Sequence, residues 1–173
     1  MRAPAFSPPL LADILLHEWE DYTFPPHTAA YAAARPLAVA ALAAALSQVA
    51  YRRPGDLALD LEDIRATLRR ARSFGLGCAT DAGPGRATRL VPAAVAACQR
   101  AHLGPPPAGP PVVALLALAS HPAAELEMDE LSKIVETLQA TLGPDVEITF
   151  WHGGEAVLPQ AAVQLWLLLG YAA

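Results

Sequence analysis

Lysine is almost missing from this chain. Lys133 is the single lysine among twelve Lys and Arg residues, and seventeen Asp and Glu residues leave a formal net charge of −5 at pH 7. That balance argues against a general nucleic-acid binder, whose electrostatic footprint is basic. Cysteine is scarce as well. Cys78 and Cys98 are the only two, too few for a disulfide framework, and their places on a predicted strand and a predicted helix suit buried, reduced thiols. No run of glycines is dense enough to cradle a phosphate with backbone N–H groups at a helix start. Gly75/Gly77 and Gly83/Gly85 are the densest cluster of glycine pairs, and besides them only Gly153-Gly154 stand together. The longest apolar run, Pro36 to Ala50, falls short of the roughly 20 residues of a membrane helix and reads as a buried helix. Near the N-terminus Asp13 interrupts the only apolar stretch, so no signal peptide is expected, and the chain reads as cytoplasmic without a direct membrane anchor.

Catalytic patterns are equally thin. His17, His27, His102, His121 and His152 are scattered, with neither an i, i+4 pair nor a cysteine at ligand spacing, so no metal site is expected. Ser47, Ser73, Ser120 and Ser132 lack the Gly-x-Ser-x-Gly setting of an exposed nucleophile. Glu125, Glu127, Asp129 and Glu130 crowd a helix start, where the dipole favours negative charge without any active site. His121 and His152 each follow an apolar strand, and strand ends are where ligand sites gather. Together with Glu125 they mark the one place where a small-ligand pocket is conceivable.

What the chain does have is enough apolar material for one core. Its 173 residues are 54% hydrophobic, which argues for a folded unit and against disorder. Leu10, Leu11, Ile14, Leu15 and Trp19 recur at helical spacing after Ser7-Pro-Pro, and Phe24-Pro-Pro26 ends that helix. A second, alanine-rich helix runs to Tyr51 and is stopped by Pro54-Gly55. A short strand at Leu57 to Leu59 leads into a helix from Leu61 to Ala71, with Asp60 as its cap. Arg65, Arg69, Arg70 and Arg72, with Arg52 and Arg53 close in sequence, read as a solvated helix face rather than an anion contact.

Phe74 to Thr80 is a glycine-containing strand, and Asp81 to Gly85 a turn. The following helix must be kinked by Pro92 or hold it in its first turn. Gly104 to Pro111 is a stiff connector. Val112 to Ala119 is apolar on both faces, as a central strand is. Met128 to Leu142 carries Leu131, Ile134, Val135, Leu138 and Leu142 on one stripe. Val146 to Trp151 and Ala162 to Leu169, separated by Gly153-Gly154 and Pro159, predict an antiparallel closing hairpin. The expected fold class is α+β: a sheet of about four strands with packed helices, preceded by N-terminal helices. Residues 1–31 form an N-terminal helical arm in this reading, and residues 32–173 the domain.

The order of these pieces resembles FtsZ, the bacterial tubulin relative of cell division. Arg53-Pro54-Gly55 with Asp60 and Asp63 is similar to the family's synergy loop. Phe74 to Asp81 with Arg86-Ala87 is similar to its glycine-rich strand and Arg-Ala helix start. Pro111 to Ser120, Met128 to Leu142, and Val146 to Phe150 through Val163 to Tyr171 follow in the family's order. The resemblance covers about Pro36 to the C-terminus and implies a stand-alone C-terminal-domain-like protein. The Gly-Gly-Gly-Thr-Gly-Thr-Gly loop of the family's GTPase domain is missing, and the chain stops at Ala173 without the family's C-terminal tail.

In that family the synergy loop places acidic side chains beside the GTP of the next filament subunit. Carried over, Pro54, Gly55, Ala58, Asp60 and Asp63 become the candidate partner-binding residues, although Ala58 stands where the family usually has Asn. Asp60 and Asp63 also have a plain reading as first-turn residues favoured by a helix dipole. Both readings stay open. The implied function is a non-enzymatic module without cofactor, whose partner is FtsZ or another FtsZ-like protein. The alternatives are a homo-oligomeric structural protein, including a homodimer, and a small-ligand protein or minor enzyme near His121, Glu125 and His152.

Overall fold

Two glycines on one strand decide how the first helix meets the sheet. The computed structural model describes residues 70–71, 73–103, 107–154 and 158–172. Within these, β1 (Ser73–Ala82) is followed by α1 (Arg86–Arg100), β2 (His102–Leu103), β3 (Pro111–Ser120), α2 (Met128–Leu142), β4 (Glu147–Gly154) and β5 (Ala162–Tyr171). A Cβ built on Gly77 would lie 2.2 Å from the Ala94 carbonyl oxygen and 2.9 Å from Cys98 Sγ, and one on Gly75 would lie 2.8 Å from the Cys98 carbonyl oxygen. Only glycine lets the backbone of α1 come this close.

The strands form one mixed sheet in the order β2-β1-β5-β3-β4. β5 pairs antiparallel with β1 from Ser73↔Tyr171 to Ala82↔Ala162, and antiparallel with β3 as far as Ser120↔Val163. β3 and β4 run parallel from Val113↔Glu147 to Ser120↔Gly154. A parallel pair needs a crossover, and α2 supplies it. Pro111, which has no N–H to give, opens β3, and the β3–β5 register shifts between Pro111 and Val113.

The core lies between the sheet and the two helices. Leu90, Val91, Ala94 and Cys98 of α1 and Ile134 and Leu138 of α2 pack with Leu116, Leu118, Leu165 and Leu167. Burying a leucine of this kind is worth roughly 2 kcal/mol. On the second face of the sheet Phe74, Val113, Leu115, Trp151 and Leu168 are buried too. α2 has the predicted bounds, and Gly143, at φ 108°, ends it in a conformation that disfavours a Cβ. Pro92 lies inside α1, beyond its first turn. It denies a donor to the Thr88 carbonyl, and both residues are exposed, so water is at hand to replace the lost bond.

The closing hairpin is corrected. β4 and β5 are not neighbours, because β3 stands between them and pairs with both. A strand apolar on both faces is most stable inside the sheet, so β4 and β5 flank it instead of pairing with each other. β1 also runs further than expected, taking in Asp81 and Ala82, since Val163 and Ala162 of β5 continue the ladder opposite them. The α+β class with four long strands stands. The expected N-terminal helices, the Leu57 to Leu59 strand and the division after residue 31 lie outside the described residues. Among the described residues no helix is long and apolar enough to cross a membrane.

The glycine contact generates a test. Gly77→Ala should destabilise the chain by about 3 kcal/mol or more, because backbone rather than a pliable side chain blocks the new methyl. Gly109→Ala, whose Cβ would meet nothing within 4 Å, serves as the control. Urea unfolding followed by circular dichroism reads both, and equal stability of the two variants would show that the close approach is not limiting.

Candidate functional site

Four strand termini converge at one end of the sheet. The registers Ala82↔Ala162, Ser120↔Val163 and Ser120↔Gly154 bring together the ends of β1, β3 and β4 and the start of β5. α1 begins just after Ala82 and α2 just after the turn that follows Ser120, so both helix N-termini approach this end. Here the described polar side chains gather.

Arg86, the first residue of α1, is the centre of that gathering. Its Nε and Nη2 donate to the two carboxylate oxygens of Glu130, each at 2.7 Å, and its Nη1 donates to the Ala161 carbonyl at 2.9 Å. The side chains are 9% and 25% exposed. Glu130 is the third residue of α2, and it also accepts the Glu127 N–H at 3.3 Å, satisfying one of the orphan donors of the helix start. One ion pair therefore joins α1, α2 and the loop before β5. The hydrogen bonds from Arg86 hold the Glu130 carboxyl below the usual carboxylate range, and those to Glu130 raise Arg86. The sequence offers no periodic signal for a pair this far apart. Its only traces are the Arg-Ala helix start and the acidic crowding after Ser120, which was expected to serve the helix dipole alone.

A second arginine secures the turn. Arg89 donates from Nε to Asp81 Oδ2 at 2.6 Å and from Nη1 to the Pro84 carbonyl at 2.9 Å. Its Nη2 reaches the Ala82 carbonyl at 3.1 Å. The bonds from Arg89, with the Ala82 N–H, lower Asp81. Gly83 and Gly85, at φ 78° and 74°, give the turn the left-handed backbone that L side chains resist.

Ser120 and His152 form the remaining pair. Ser120 Oγ lies 2.9 Å from His152 Nε2 and accepts the Leu126 N–H at 3.2 Å. The serine is fully buried, so its hydroxyl ties β3 to β4 and to the turn before α2 rather than facing solvent. The structure thus joins His152 to Ser120. His121 turns its Nδ1 to its own loop, accepting the Ala123 N–H at 3.0 Å, and Glu125 is exposed.

Both cysteines are free thiols. Burial pushes Cys98 up to about 12, and its Sγ donates to the Leu167 carbonyl at 3.3 Å. Burial also raises Cys78, which is only half-buried. Neither is a ready thiolate at neutral pH. Among the described residues no group of three or more His, Cys, Asp or Glu is disposed to hold a metal ion. Pro54, Gly55, Ala58, Asp60 and Asp63 lie outside the described residues.

The Arg86–Glu130 pair fixes a pH dependence. A carboxyl whose folded pKa is lowered stabilises the fold fully above its unfolded value, about 4.3, and loses that contribution as pH falls through the folded value. Glu130→Gln leaves a buried guanidinium without its counter-ion, so it should cost about 2 to 3 kcal/mol at pH 7. The gap between the variant and the natural chain should narrow between about pH 5 and pH 3. Urea unfolding across that range measures it, and a gap independent of pH would place the stabilisation elsewhere.

No protein-family model matches the chain, and no curated protein matches it in sequence. Solved structures do. An empty FtsZ dimer from M. jannaschii matches with a TM-score of 0.58 and 17% identity, over 88% of this chain and 42% of that one. A tryptophan-to-tyrosine mutant of FtsZ from the same organism matches with a TM-score of 0.56 and 16% identity, over 90% and 44%. At such identities the likeness establishes the fold. The chain spans less than half the length of the FtsZ chains it matches, and its α+β fold is that of the FtsZ C-terminal domain.

Proposed function

We propose that this chain is a non-catalytic interaction module that docks on, or modulates, a filament-forming partner of the FtsZ/tubulin type through its Pro54 to Asp63 loop. The reading rests above all on the fold. Nearly nine-tenths of the chain follows FtsZ, while about two-fifths of FtsZ is represented, so what is shared is a body that contributes a surface. The sequence adds the rest. Arg53-Pro54-Gly55 with Asp60 and Asp63 resembles the loop that FtsZ presents to the nucleotide of a neighbouring subunit, where carboxylates orient water for phosphoryl transfer. A chain that keeps such a loop acts on another subunit's chemistry from outside, in the cytoplasm where that partner assembles.

The strand-end groups support a non-catalytic role. Arg86, Arg89, Glu130 and Asp81 are consumed in ion pairs, and Ser120 is buried against His152 and the Leu126 N–H. A pocket built on His121, Glu125 and His152 has less behind it, since His152 is engaged by Ser120 and His121 by its own turn.

The experiment pairs the chain with the FtsZ-type protein of its own organism. Pelleting of filaments and phosphate release are measured with the natural chain and with the double variant Asp60→Ala, Asp63→Ala. The natural chain should shift both readouts and the double variant should not. If the two aspartates stand in a helix's first turn, as the sequence pattern predicts, they together contribute about 1 to 2 kcal/mol to stability, and circular dichroism checks that the variant stays folded. Calorimetry of the chain alone should show no GTP binding. Unchanged assembly with the natural chain, equal potency of the double variant, or micromolar GTP binding by the chain itself would overturn the proposal.

A further inference from the structure

We draw no further inference here: the strongest candidate, the Ser120–His152 pair at the end of the sheet, belongs to the site already described, where the serine is fully buried and its hydroxyl accepts the Leu126 N–H.

Discussion

The separation between α1 and β1 is the constraint on which the rest of the molecule depends. At Gly77 there is no room for a single methyl group before the Ala94 carbonyl. That contact lets Cys98, one turn further along α1, reach past β1 to the Leu167 carbonyl of β5, so the helix covers two strands. Interiors packed to this density do not absorb an extra carbon by local adjustment. Lifting α1 would detach Leu90, Val91 and Ala94 from the leucines of β3 and β5 and would withdraw Arg86 from Glu130. The second face repeats the device at Gly170, whose Cβ would come within 2.5 Å of Val113 Cγ2 and 2.7 Å of Ala71 Cβ.

Electrostatics then fixes what packing brings near. The first turn of α1 carries two arginines, and each uses a guanidinium fork to reach a carboxylate and loop carbonyls together. A lysine presents one point charge and cannot span such a set, which gives the near-exclusive use of arginine a structural meaning at these two positions. With these bonds made, the end of the sheet is a latch among strands, helices and turns. Away from that end, burial keeps the Cys78 and Cys98 thiols in surroundings that disfavour thiolate.

Elements whose signal is local were legible in the sequence. The stripe from Leu131 to Leu142 ahead of Gly143 gave α2 its bounds, and the unbroken apolar run placed β3 inside the sheet. Where a distant partner decides, local reading fell short. Asp81 and Ala82 look like turn residues until β5 pairs with them, and of the two places left open for Pro92 the structure takes the one inside the helix, with Arg86 and Arg89 holding the turn before it. The site was less legible than the fold. Arg86 and Glu130 meet only because two helices begin at one end of one sheet, and Ser120 meets His152 only because β3 and β4 are parallel. The hairpin expectation failed for the same reason. Sequence proximity of β4 and β5 favoured their pairing, whereas the hydrophobicity of β3 demanded a place between them.

That demand has a consequence for the surface. In a β4–β5 hairpin, β4 would have had β5 along one side, and β3, apolar throughout, would have been pushed towards the rim. The crossover through α2 instead places β3 inside the sheet, and among the described residues β4, with Phe150 and Trp151 side by side, is the strand at that end. An outer strand of a soluble protein is ordinarily made short, charged or irregular. β4 is held in register by β3 through eight residues, and its acidic side chain, Glu147, is ion-paired with Arg70. The topology that gives the domain its core also brings the charged groups at the end of the sheet into internal bonds, Arg86 with Glu130 and Arg89 with Asp81.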